Sequence, residues 1–75
     1  MFNYSKLYGK IKEVFNTQEA FADAMGISRT AVNARLTQNV EWKSPEIVKA
    51  CELLNIPLSE AHVYFFSLSS LEITT

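Results

Sequence analysis

The sequence predicts a single, mainly α-helical domain, and three observations support this prediction. Apolar residues recur at spacings of three and four along most of the 75-residue chain, which is the period of an amphipathic helix. The chain contains two glycines and two prolines, so few positions interrupt a helix. Its 48% content of hydrophobic residues is typical of a folded domain, and a chain of this length has room for one such domain.

The first predicted helix begins near Tyr4, where Asn3 offers a side-chain cap. Its apolar residues fill one arc of the helix, and its charged residues lie outside that arc. The apolar face consists of Tyr4, Leu7, Tyr8, Ile11, Val14 and Phe15. Asn16 and Thr17 then interrupt the pattern and offer cap oxygens for a second helix of about two turns over residues 18–25.

A glycine turn separates the second predicted helix from the third. Gly26 stands where the second helix must end, and glycine readily adopts the left-handed conformation that turns a chain sharply. Ser28 then caps a third helix over residues 29–37, with Val32 on its inner face. Ala22 supplies the small residue that two helices need where they cross at a steep angle. This segment therefore predicts two short helices that meet at a tight corner.

Two further helices are predicted after a polar linker. The sequence Ser44-Pro45-Glu46 predicts a helix start, with a capping serine, a proline at the first position and an acid in the first turn. The fourth helix ends near Asn55, and a short fifth helix covers residues 58–65. Residues 66–74 alternate apolar and polar with one slip, which predicts a short strand or an extended tail.

Composition argues against several classes of function. One cysteine and one histidine exclude a zinc site made by this chain alone, and they also exclude an intrachain disulfide. The sequence has no apolar run of the roughly 20 residues that a membrane span needs, and its start lacks an export signal. These features predict a cytoplasmic protein. The sequence has no glycine-rich phosphate loop and no nucleophile beside a base, so we expect neither an enzyme nor a bound cofactor or small-molecule substrate.

Charge is distributed unevenly along the chain. Residues 1–45 contain six basic and four acidic side chains, whereas residues 46–75 contain one basic and four acidic side chains. A polyanion would therefore prefer the first part of the chain, and the second part would face away from it. The difference is small, and an ordinary mixed surface explains it equally well.

The segment over residues 17–36, TQEAFADAMGISRTAVNARL, resembles the helix-turn-helix of the lambda-repressor and Cro type. The resemblance to small Cro- and repressor-like proteins of phages and prophages extends over about residues 3–66. It implies a five-helix domain over residues 1–66 that binds operator DNA in a sequence-specific way. It also implies a homodimer, which in weak cases forms only on the DNA, and the tail over residues 67–75 is a candidate dimerisation segment.

The resemblance implies a set of DNA-binding residues on and around the third helix. The implied base-reading residues are Ser28, Arg29, Thr30, Asn33 and Ala34. A bidentate contact of Arg29 with guanine would contribute about 1–3 kcal/mol of discrimination. The implied phosphate-binding residues are Lys10, Gln18, Arg35, Thr37, Asn39 and Lys43.

One position departs from the family pattern. The family often has an apolar residue nine positions after the turn glycine, and this chain has Arg35 there. Two interpretations follow from the sequence. Either the third helix is slightly rotated, or Leu36 takes over the packing and Arg35 reaches a phosphate.

Aromatic residues near the end of the chain also allow two interpretations. They either close the core or form part of a dimer surface, and both can hold. The residues predicted for dimerisation are Tyr64, Phe65, Phe66 and Leu68. Trp42 is expected to pack the linker onto the core.

The acidic second part of the chain also supports an alternative function, an anti-repressor or antitoxin-like module that keeps this fold but binds another protein.

Overall fold

The computed structural model describes residues 2–38 and 40–67. Over these ranges the chain forms five α-helices, which confirms the mainly helical fold class. They are α1 (Ser5–Phe15), α2 (Gln18–Met25), α3 (Arg29–Thr37), α4 (Ser44–Leu54) and α5 (Ala61–Phe65), with a 3₁₀ turn at Leu58–Glu60. The strand or extended tail predicted after Phe66 falls almost entirely outside the described residues.

All five helices contribute to one hydrophobic core. Each of them supplies at least one side chain that is no more than 1% exposed. The larger of these side chains are Leu7 and Ile11 from α1, Phe21 from α2, Val32 from α3, Leu54 from α4 and Phe65 from α5. Because α3 is anchored by Val32 on one side, its opposite side remains available to solvent.

The corner between α2 and α3 has the geometry that the sequence predicts. Gly26 adopts φ 77° and ψ 24°, the left-handed conformation, and its N–H donates to the Ala22 carbonyl at 2.9 Å. Ser28 Oγ accepts a hydrogen bond from the Ala31 N–H at 3.0 Å, which caps α3. The Lys49 ammonium, from α4, also donates to a carbonyl at the end of α2 at 3.3 Å. The corner is therefore fixed both by its own backbone and by a neighbouring helix.

Two helix starts differ from the predicted ones by a residue. Asn3 Oδ1 accepts a hydrogen bond from the Ser5 N–H at 2.8 Å, so α1 begins at Ser5 rather than near Tyr4. Ser44 is the first residue of α4 rather than its cap. Lys43 occupies the cap position, and its N–H donates to Glu46 Oε1 at 3.0 Å. In both cases a side chain two or three residues away satisfies a free backbone N–H.

The edge of α1 and the start of the last helical segment also differ from the prediction. Tyr8 and Val14 are 44% and 39% exposed, so they border the core rather than belong to it. The predicted fifth helix over 58–65 is divided into the 3₁₀ turn and the five-residue α5.

Within the described ranges, no helix has the length and apolar character to cross a membrane.

Candidate functional site

The N-terminal end of α3 is an exposed part of the helix-turn-helix. Ser28, Arg29, Thr30 and Asn33 are all exposed, whereas Ala34 is half-buried. Arg29, Thr30 and Asn33 line a shallow depression of about 190 Å³. The Ser28 cap and the Gly26 corner hold this end of the helix outward, so these side chains are placed before any partner binds.

Two further depressions continue from this one in series. The first has a volume of about 320 Å³, and it is lined by Lys12, Thr17, Gln18, Glu19 and Arg29. The second has a volume of about 420 Å³, and it is lined by Phe2, Asn3, Tyr4, Ser5, Tyr8, Gln18, Leu36 and Thr37. Arg29 lines both the first depression and the one of 320 Å³, and Gln18 lines both that one and the one of 420 Å³. The three depressions are therefore connected. We call the surface formed by the residues that line them the α3 face.

Gln18 lies at the junction of two of these depressions. Its side chain is half-buried, and its Oε1 atom is inaccessible to solvent and has no hydrogen-bond partner among the described residues. Thr17 Oγ1 caps α2 beside it by accepting from the Ala20 N–H at 3.1 Å. The structure thus places Gln18 on the α3 face, at the N-terminus of α2.

Arg35 points away from the α3 face and binds Glu46. Its Nε and Nη2 atoms donate to the two carboxylate oxygens at 3.1 and 3.0 Å. Its Nη1 atom donates to the Ala31 carbonyl at 3.0 Å, and its guanidinium lies 5.9 Å from the centre of the Trp42 ring. Neither interpretation from the sequence describes this position fully. Leu36 does pack against the core, but the guanidinium forms an ion pair inside the protein instead of extending outward.

The ion pair joins the end of α3 to the start of α4. The two side chains are 13% and 18% exposed, so the pair is largely shielded from water. Burial alone would raise the pKa of Glu46. The Lys43 N–H, the hydrogen bonds from Arg35 and the nearby positive charges outweigh burial and hold that pKa below its ordinary value. Glu46 is a residue that the sequence analysis did not connect with Arg35.

The other residues predicted to bind phosphates are dispersed. Lys10 binds Glu13 at 3.0 Å on α1, and this contact raises the pKa of Lys10. Neither Lys10 nor Lys43 lines any of the three depressions. Thr37 does line the largest one, and Asn39 lies outside the described residues. The structure therefore brings Gln18 and Thr37 to the α3 face but not Lys10, Arg35 or Lys43.

The aromatic residues predicted for dimerisation have three different environments. Phe65 is 1% exposed and contacts the Trp42 ring edge to face, with ring centres 5.3 Å apart. Tyr64 is half-buried against the core. Phe66 is 50% exposed and lies against Phe2, with ring centres 5.6 Å apart. Phe65 thus belongs to the core together with Trp42, Phe66 remains accessible, and Leu68 lies outside the described residues.

No metal site is evident in residues 2–38 and 40–67, which contain no group of three or more His, Cys, Asp or Glu able to hold an ion. Cys51 is 2% exposed, and burial raises the pKa of its thiol. Such a thiol is mostly protonated at neutral pH and reacts poorly.

Comparison with known proteins identifies a family and a similar solved structure. The model of the family described as protein of unknown function (DUF739) matches residues 1–68. The solution structure of the modulator of repression (MOR) of the temperate bacteriophage TP901-1 from Lactococcus lactis is similar, with a TM-score of 0.75 and 43% sequence identity. The match covers 87% of this chain and 88% of that one.

No curated protein matches the chain. The expected similarity to small phage regulators is confirmed by the bacteriophage modulator, whereas membership of the Cro or lambda-repressor group stays a prediction. From the match over residues 1–68, we conclude that the chain belongs to the family described as protein of unknown function (DUF739).

Proposed function

We propose that this chain is a phage regulatory protein that modulates repression, and that its α3 face binds the cognate repressor protein. The similar structure is named a modulator of repression. A protein can change repression by acting on the operator DNA or on the repressor that occupies it. The charges around α3 favour the repressor.

The observation that carries this proposal is the small number of free cations near α3. Arg35 is bound to Glu46, so Arg29 is the one basic residue of α3 that contacts no acid among the described residues. The α3 face also contains Lys12, but Glu19 lies in the same depression and offsets its charge. Because affinity for DNA depends on how many phosphates a protein neutralises, this surface provides little attraction for DNA.

The composition of the α3 face suits a protein partner. Its outer part combines Arg29 with neutral polar side chains, and its inner part contains Tyr4, Tyr8 and Leu36. Protein interfaces are enriched in arginine and aromatic residues and depleted in lysine and acidic residues. A single accessible arginine among small polar groups, with aromatic residues in a connected depression, therefore suits the centre of such an interface.

A binding comparison tests the proposal. The full chain, carrying a fluorescent label, is titrated with its cognate repressor and, separately, with operator DNA at about 50 and 200 mM salt. We expect binding to the repressor with a shallow salt dependence and no binding to the operator by the chain alone. A chain that binds the operator and loses about a thousandfold in affinity between these salt concentrations would instead be a DNA-binding protein.

Two variants locate the surface. Arg29→Ala removes the accessible cation of α3 and should weaken repressor binding about tenfold or more, as loss of a central interface arginine does. Lys10→Ala removes a cation outside the α3 face and should leave the affinity unchanged. Equal weakening by both variants would show that overall charge, not the α3 face, controls binding.

A second candidate function is operator binding by a homodimer. The exposed Ser28, Arg29, Thr30 and Asn33 favour it, since helix-turn-helix proteins insert this end of the helix into the major groove. Footprinting on the DNA that flanks the gene tests it. Two protected half-sites about 34 Å apart, with a base preference that Arg29→Ala relaxes, are the expected result. The absence of any protected site would leave the repressor as the partner.

A further inference from the structure

An aromatic hollow lies beside the α3 face, on the side of the chain's first residues. It has a volume of about 290 Å³, and it is lined by Phe2, Tyr4, Glu41, Trp42, Ser44, Ile47, Phe65 and Phe66. Phe2 and Tyr4 also line the largest depression of the α3 face. The aromatic hollow and the α3 face are therefore continuous, and one partner can contact both.

The rim of the aromatic hollow is exposed, whereas its floor is buried. At the rim, Phe2 and Phe66 are 38% and 50% exposed and stack edge to face. Trp42, in contrast, is 6% exposed, and its indole N–H is buried without an acceptor among the described residues. The exposed rings of the rim can therefore bury apolar surface against a ligand, whereas the indole lies beneath them as part of the floor.

We infer that the aromatic hollow is the second half of the repressor-binding site, an inference that rests on the proposed function. It takes an apolar side chain of the repressor, which packs against the exposed Phe2 and Phe66 rings at the rim. The one formally charged side chain in its lining is Glu41, and no cation lines it. A phosphate backbone would be repelled there, so the hollow distinguishes a protein partner from DNA.

The chain provides a specific probe for this contact, because it contains one tryptophan. In ¹⁵N-labelled protein, Trp42 gives one indole N–H signal, and unlabelled repressor contributes none. During titration with the cognate repressor, we expect the Trp42 indole signal and the Arg29 amide signal to shift with the same dissociation constant. A stationary indole signal with a shifting Arg29 signal would overturn this inference and leave the proposed function intact. If neither signal shifts, the proposed function fails as well.

Matched variants measure the contribution of the rim. Phe66→Ser removes an exposed ring of the hollow and should weaken repressor binding at least about fivefold with little change in melting temperature. Val14→Ser is the control, because Val14 is 39% exposed but lines none of the depressions described above. It should bind normally. Phe2→Ser removes the other exposed ring and gives an independent reading if Phe66→Ser lowers stability. Unchanged affinity in both aromatic variants would overturn the inference.

Two other occupants of the hollow are distinguished by the same indole signal. If a second copy of the chain fills it, the signal will move with protein concentration alone. If residues near the end of the chain fill it, replacing Leu71 and Ile73 by serine in the full chain will move the signal without repressor. Either result would overturn the inference, so the expected result in both measurements is a stationary indole signal.

Discussion

The two ends of α3 carry the same type of residue in opposite environments. Arg29, at the N-terminal end, is exposed and lines two depressions of the α3 face. Arg35, less than two turns later, has a side chain that is 13% exposed and makes two hydrogen bonds to Glu46. The difference shows that residue type does not decide which arginine recognises a partner. The nearest carboxylate and the depth of burial decide it.

The C-terminal end of α3 serves as an anchor for the N-terminal end. The Arg35–Glu46 pair joins α3 to α4, and the Gly26 corner joins α3 to α2. Substitutions that break the ion pair, the corner or a helix cap should therefore lower stability, whereas substitutions of the exposed side chains at the free end, such as Arg29, should lower binding and leave stability unchanged. Variants at each of these contacts test this division.

The largest effect is expected from Arg35→Ala. Removing one member of an ion pair leaves the other charge without a partner. When the pair is fully buried, this lowers the free energy of unfolding by about 3–5 kcal/mol. Since this pair is partly exposed, we expect a loss of about 2–3 kcal/mol in the free energy of unfolding, measured with urea. The double variant Arg35→Ala, Glu46→Ala should recover part of this loss. An effect below about 0.5 kcal/mol would remove the distinction between the two ends of the helix.

The Gly26 corner should contribute the next largest effect. Gly26→Val places a β-branched residue at φ 77°, and such strain costs about 1–3 kcal/mol. Gly9→Ala is the matched control, because Gly9 is helical and a methyl group there meets no atom within 4 Å. It should raise stability by about 0.5–1 kcal/mol. Thermal unfolding measures both changes, and a Gly26→Val melting temperature equal to that of the parent would contradict the account.

Loss of a helix cap should have a smaller effect. Ser28→Ala removes the hydrogen bond to the Ala31 N–H and should lower stability by about 1 kcal/mol. Thr17→Ala removes the equivalent cap of α2, so it provides a matched comparison with a similar expected loss. Urea unfolding of both variants tests whether the two short helices depend on their caps to the same extent. A stable Ser28→Ala variant would mean that the corner alone holds the free end of α3.

The smallest effect is the acid dependence of the anchor. The pKa of Glu46 is held below its ordinary value of 4.5, so the stabilisation by the ion pair is complete above that value. It is lost as the pH falls through the lowered pKa of the folded state. The difference in melting temperature between the parent and Glu46→Gln should therefore be constant from pH 7 to pH 5 and shrink in more acidic solution. A difference that grows on acidification would contradict the assigned direction.

Local sequence signals were sufficient to predict the helices and the corner. Apolar spacing located α1 to α4 to within a residue or two, and Gly26 with Ser28 located the turn, because each signal acts over one helical turn. The division of the last helix into a 3₁₀ turn and α5 could not be predicted. A five-residue helix depends on tertiary contacts such as those of Phe65, which a local pattern does not contain.

The exposed start of α3 could be predicted from the cap and the family resemblance. The ion pair of Arg35 with Glu46 could not be predicted. The partner of Arg35 is eleven residues away, across a linker whose path brings Glu46 back against α3. The signal that predicted Glu46 as a helix-start residue gave no indication that its carboxylate would bind an arginine of another helix. The joining of the α3 face and the aromatic hollow through Phe2 and Tyr4 likewise depends on packing between distant segments.

Backbone amide shifts along α3 distinguish a repressor partner from a DNA partner. The ¹⁵N-labelled chain is titrated with its cognate repressor and, in a separate sample, with operator DNA. The account predicts that the repressor shifts the signals of Arg29, Thr30 and Asn33, that the Arg35 side-chain Nε–H signal keeps its position, and that the DNA alone shifts none of them. Shifts of the same signals by DNA, with none from the repressor, would contradict it.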